Sequence, residues 1–161
     1  VEAMARICVG AEKQFIADVD FEAARRGLER ADQAIAMATM FLSEHIGVRG
    51  VVAMTESGGT ARFLSRFRSS VPIFAFSRHG AARRKMALMR DVFPMDYDSR
   101  GQTPREAARG SIRLLVDAGL LQPGDRVVFT SGEHMETRGA TNTLRLLEIG
   151  EDGRAAGLGE L

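Results

Sequence analysis

Three stretches of this chain carry residue types that can hold or transform a small anion. The first, Thr55-Glu56-Ser57-Gly58-Gly59-Thr60, sets hydroxyls and paired glycines between an apolar run, Val51 to Met54, and a helical pattern. Hydroxyls beside the free N–H groups of a helix start suit a phosphate. The spacing is not that of a P-loop, because no lysine follows the second glycine. The same residues would also serve as an ordinary helix cap, and the Glu56 carboxylate would repel an anion unless it turned away or paired with an arginine. The second stretch is Ser77-Arg78-His79-Gly80. Arg78 offers a fork of donors to an anion and His79 a titrating ring, although a solvated turn accounts equally for His79. The third, Ser131 to Thr143, is a polar loop holding Gly132, Glu133, His134, Glu136, Arg138, Gly139, Thr141 and Asn142. Irregular loops of this length usually carry function or lack order.

Other groupings point to less. His45, His79 and His134 lie far apart without a metal-binding spacing, so no metal site is expected. Glu133 and Glu136 offer an acid and a base, yet no nucleophile signature accompanies them. The basic run Arg83-Arg84-Lys85 sits beside Met86-Ala87-Leu88, the mark of a solvated helix face. The eight methionines read as core filler.

The whole chain sets bounds on these sites. Its 161 residues are 45% hydrophobic, enough for one domain with a sizeable core. Lys plus Arg number 22 against 21 Asp plus Glu, so no overall field favours nucleic acid or an anionic membrane as partner. No apolar run approaches the roughly 20 residues that span a bilayer. Cys8 is the single cysteine, which excludes an internal disulfide and fits the reducing cytoplasm. The opening residue, Val1, hints at an excised or processed piece.

Periodicity supplies the elements that must position the loops. Met4, Ile7, Cys8, Ala11 and Phe15 are spaced for an amphipathic helix over residues 1–17. Residues 18–30 dilute the pattern with charge and read as a linker. The domain proper is expected over 31–149. Ile35, Ala38, Leu42 and Ile46 predict a helix from Ala31 that stops at Gly47. Strands are then expected at Gly50 to Thr55, Pro72 to Ser77, Val92 to Asp96, Arg126 to Ser131 and Thr143 to Ile149, with helices at about Gly58 to Phe67 and Ala81 to Met89. A further helix starts on the capping box Thr103-Pro104-Arg105-Glu106 and ends at Gly119. This alternation predicts an α/β three-layer sandwich: a five-stranded, mostly parallel sheet with helices on both faces. The last strand arrives without room for a crossover helix and is expected antiparallel. The glycine- and charge-rich tail, 150–161, is expected to be disordered.

Several of these stretches resemble pyruvate kinase. Thr55-Glu56-Ser57-Gly58-Gly59-Thr60-Ala61-Arg62 and Ser65-Arg66-Phe67-Arg68 resemble its effector loop and following helix. Pro72 to His79 is similar to its next strand, Arg90-Asp91-Val92-Phe93-Pro94 to its Arg-Gly-Val-x-Pro segment, and Gly124-Asp125 with Gly139-Ala140-Thr141-Asn142-Thr143 to its final motif. The opening Val1 to Arg6, with Ala11-Glu12, resembles the helix that closes the catalytic barrel. The resemblance covers about residues 1 to 149 and points to the carboxyl-terminal domain.

The resemblance implies a parent enzyme that moves a phosphoryl group from phosphoenolpyruvate to ADP in glycolysis, with magnesium or manganese and potassium as cofactors. The barrel that holds those ions and the catalytic residues has no counterpart here, so the chain alone is expected to be inactive and to need no cofactor. What it implies for this chain is an allosteric phosphate pocket and a part in subunit contacts, as dimer or tetramer. Carried over, the pocket uses Thr55, Ser57, Gly58 and Thr60, with Gly139 closing it and Arg78 nearby. Members that respond to fructose 1,6-bisphosphate often have an added basic residue and, in animals, a tryptophan at the pocket. This chain has Glu56 and no tryptophan. The Ser77 to His79 turn and the Gly132-Glu133-His134-Met135 loop resemble bacterial isozymes that answer to AMP or sugar monophosphates. From the residues alone, two alternatives stand: a small free-standing α/β enzyme using Glu133, His134 and Glu136, and a pure interaction module.

Overall fold

The run Gly50–Met54 is too short for a buried helix and β-branched at Val51 and Val52, and it forms the central strand β1 with all five residues buried. In the computed structural model the described residues are 1–13, 28–67, 69, 71–133, 137 and 139–156. The elements run α1 (Glu2–Lys13), α2 (Ala31–Ile46), β1, α3 (Gly59–Leu64), β2 (Ile73–Ser77), α4 (Gly80–Met86), β3 (Val92–Asp96), α5 (Pro104–Asp117), β4 (Arg126–Gly132), β5 (Thr141–Ile149) and β6 (Ala155–Ala156). The end of the first predicted helix at Phe15, the linker through residue 27, Arg68, the loop residues His134, Met135, Glu136 and Arg138, and the tail from 157 lie outside the described residues.

One sheet in the order β3-β2-β1-β4-β5-β6 organises the molecule. β1 is parallel to β2 and β4, and β2 to β3, while β4–β5 and β5–β6 are antiparallel. Side chains alternate across it. Val51, Ala53, Ile73, Ala75 and Val92 join Ala36 and Met40 of α2, Ala61 and Leu64 of α3 and Met86 of α4 in one core. Val52, Met54, Phe74, Phe76, Val127, Phe129, Leu147 and Ile149 meet Ala108, Ile112 and Leu115 of α5 in the other. The mixed α/β sheet between helical layers is therefore as the periodicity predicts, and β5 is antiparallel as its short connection requires.

The sheet has six strands, not five. The sixth lies in the segment expected to be disordered. There the glycines and charges make a turn: Gly150 N donates to Arg154 O at 2.8 Å, Asp152 Oδ1 accepts from Arg154 N at 3.0 Å, and Gly153 adopts φ +70°. Such residues mark tight turns as readily as disorder, and Ala155 behind them packs on the core. Boundaries move as well. α3 and α4 are shorter than their patterns, and β5 begins two residues early, which brings Thr141 into the ladder opposite Gly132.

α5 begins as its sequence requires. Thr103 Oγ1 accepts from Glu106 N at 3.2 Å, and the Glu106 carboxylate accepts from Thr103 N at 2.7 Å. That return bond from the Thr103 backbone holds the Glu106 carboxyl below its ordinary range. Among the described helices α1 stands apart: Met4, Ile7 and Val9 are half or more exposed. Among the described residues no helix is long and apolar enough to cross a membrane.

Candidate effector cleft

In an open parallel sheet, ligands gather beyond the carboxyl ends of the strands where the strand order reverses. Here that point lies between β1 and β4, because the chain builds outward from β1 through β2 and β3 and then crosses to the other side. A cleft of about 310 Å³ opens at this place. Thr55, Glu56 and Ser57 line it after β1, Thr60, Arg62 and Phe63 from α3, Thr137, Gly139 and Thr141 from the β4–β5 connection, and Arg30 and Asp32 from the start of α2.

The first loop is folded by its own side chains. Thr55 Oγ1 accepts from Gly58 N at 3.0 Å, and Gly58 has φ +83°, a conformation that favours glycine. A Cβ at Gly58 would also lie 3.0 Å from Met86 Cγ. Gly58 thus shapes the turn from behind. Thr60, buried on α3, shares a 2.8 Å hydrogen bond with the buried Thr141 of β5. This bond joins loops that are 81 residues apart.

Glu56 is turned to the neighbouring loop. Arg78 Nη2 donates to Glu56 Oε2 at 3.1 Å and Arg78 Nε lies 3.3 Å from both carboxylate oxygens. His79 Nε2 stands 2.5 Å from Oε2. Ser77 Oγ adds a 3.3 Å bond to the Glu56 carbonyl. The carboxylate is therefore occupied by the Arg78 guanidinium and the His79 ring of the second loop. Of the residues singled out from the sequence, Thr55, Ser57, Thr60 and Gly139 line one cleft, Gly58 builds its turn, and Arg78 stands outside the lining with its guanidinium on Glu56.

On the opposite rim the Gly139 backbone, at φ +72°, approaches the Arg30 side chain so closely that a Cβ would lie 2.6 Å from Nη2. Arg30, Asp32, Arg62 and Thr141 are among the lining residues that were not assigned to the pocket from the sequence. Arg30 falls in the stretch read as linker. Its signal was the Gln33 three residues on, whose Oε1 accepts from Arg30 N at 3.3 Å as in a helix start. Of the alternative acid–base group, Glu133 is exposed and its N–H donates to Asn142 Oδ1 at 3.1 Å, while His134 and Glu136 lie outside the described residues.

A mixed α/β sheet with a hydroxyl-lined cleft at its switch point defines an open α/β domain of the kind whose strand ends form clefts. The family model described as pyruvate kinase, alpha/beta domain, matches residues 33–147. The chain belongs to the pyruvate kinase family, as its C-terminal α/β domain. Pyruvate kinase II of Salmonella typhimurium is 42% identical over 150 residues, covering 92% of this chain and 31% of that relative. Pyruvate kinase of Buchnera aphidicola subsp. Baizongia pistaciae is 37% identical with the same coverage, and that of Haemophilus influenzae 33%. The chain spans about a third of the length of these curated relatives, 31% in each.

Proposed function

We propose that this chain is the regulatory and subunit-contact domain of a cytoplasmic pyruvate kinase, that its cleft binds a small molecule carrying one phosphate, and that it does not transfer phosphate by itself. The parent reaction, from phosphoenolpyruvate to ADP, and its magnesium or manganese and potassium would belong to the barrel present in a whole enzyme. The observation that carries the reading is the division of roles between the first two loops. Thr55, Ser57 and Thr60 line the cleft while Arg78 and His79 hold the Glu56 carboxylate. With Glu56 so occupied, the hydroxyls and the arginines Arg30 and Arg62 set the character of the cleft. One phosphate suits this better than two, because the acids Glu56 and Asp32 also line it and can accept hydrogen bonds from sugar hydroxyls.

Calorimetric titration with ribose 5-phosphate, glucose 6-phosphate, AMP and fructose 1,6-bisphosphate tests this. At least one monophosphate is expected to bind, one per chain, more tightly than the bisphosphate. No heat from any of the four contradicts an effector role and leaves the contact role alone. Self-association is supported by the apolar residues left exposed on α1 and by Phe41 on α2, which is 49% exposed. Sedimentation is expected to show dimers or tetramers, and a strict monomer at high concentration contradicts it.

A further inference from the structure

Arg30 and Asp32 form a fork across the rim of the cleft, with Nε to Oδ1 at 3.0 Å and Nη2 to Oδ2 at 2.7 Å. The partners differ sharply in environment. The Asp32 side chain is 4% exposed and the Arg30 side chain 57%. A carboxylate so buried needs its counter-charge. The arginine does not depend on the acid in the same way, since its outer edge faces solvent and these two bonds engage two of the five N–H donors of a guanidinium. It also lies against Gly139, where the missing side chain leaves room for it.

We infer that Arg30 contacts the anion in the cleft and that Asp32 is a built-in competitor, a carboxylate that holds the guanidinium when no ligand is present and weakens anion binding throughout. This rests on the phosphate reading above. A phosphate seated on the Thr55–Thr60 loop would meet an arginine already oriented by a fork of the kind that matches phosphate geometry. Removing a buried negative charge from the same wall favours any anion there. Arg30 is also the residue that caps α2, its backbone N–H bonded to Gln33 Oε1. A ligand gripping its side chain therefore also pins the point where the chain enters the domain. Arg62 lines the cleft too, but its guanidinium lies 5.2 Å from the centre of the Phe63 ring.

The test is calorimetry with ribose 5-phosphate and with inorganic phosphate, on the protein at the full length its gene encodes, with thermal melts to confirm folding. Arg30→Gln is expected to weaken binding about tenfold or more, and Arg30→Lys to lose less, because it keeps the charge without the fork. Asp32→Asn is expected to tighten binding severalfold, whereas a purely structural Asp32 predicts the same or weaker binding. Wild-type affinity in Arg30→Gln, or loss confined to Arg62→Gln, overturns the inference, as does an Asp32→Asn protein that folds and binds no more tightly. Should Asp32→Asn fail to fold, the Arg30 pair decides. A wild-type protein that takes up neither probe refutes the phosphate reading itself. One that binds while its Arg30 variants match it refutes only the role of Arg30.

Discussion

The loops after β1 and β2 leave adjacent parallel strands at the same end of the sheet, yet their chemistry is divided. The first presents hydroxyls to the cleft and binds its one acid, at the cleft wall, to the second loop. The second carries Arg78 and His79, the residues with the stronger anion-binding chemistry, and turns both onto Glu56. The difference teaches that charge in these two loops is used to set a loop's shape, while the weaker, neutral groups of the first face the cleft. A residue's capacity to bind an anion is thus no guide to its role until its nearest counter-charge is known.

Breaking the charged loop should have the largest effect. Glu56→Ala leaves Arg78 without its carboxylate, and because Arg78 is 24% exposed the cost should fall at about 2–3 kcal/mol, below that of a fully buried pair. Urea unfolding measures it. A cost near zero would show that the Arg78–Glu56 contact does not organise the loop.

The hydroxyl loop should respond less, through the bond that ties it to β5. Thr60→Val leaves the buried Thr141 hydroxyl without its partner, at about 1–3 kcal/mol. Adding Thr141→Val should cost less than the two single changes summed, since contacting residues are not additive. Full additivity would mean that the 2.8 Å contact carries no energy.

Smallest is a change remote from both loops. Thr103→Ala removes the α5 cap for about 1 kcal/mol and should leave phosphate binding unchanged. Its effect should also depend on pH. Glu106 titrates below its ordinary 4.5 in the folded chain because the Thr103 backbone N–H bonds its carboxylate. The stability this confers is present above 4.5 and is lost as pH falls through the lowered folded value. Thr103→Ala keeps that backbone N–H and loses only the 3.0 Å hydroxyl bond to the same carboxylate, so the melting curves of wild type and Thr103→Ala should draw closer in acid while both keep a loss of stability there. Curves that stay parallel would place the cap's contribution elsewhere.

Much of this was legible in the residues. Val51-Val52-Ala53-Met54 and the Thr103 to Glu106 box announce β1 and α5, because burial and capping act over short distances along the chain. The hydroxyls of the cleft were legible for the same reason. What was not legible depends on distant pairing. Nothing near Thr60 indicates Thr141, which reaches it only because β5 runs antiparallel to β4 and starts at residue 141. Arg30 looked like a linker charge and Asp32 was one unremarked acid in the predicted helix until α2 packed against the sheet, and Gly150 to Gly153 looked disordered although the same residue types close the turn into β6. Motif resemblance reached the family where periodicity reached only the fold class.

The position of a bound phosphate distinguishes the two loops most directly. Amide NMR during a titration with ribose 5-phosphate locates it directly. Shifts are predicted at Ser57, Gly58, Gly59, Thr60 and Gly139, with the Arg30 side chain responding and His79 unmoved. Saturable shifts centred on Arg78 and His79, with the hydroxyl loop silent, would contradict the division between the two loops.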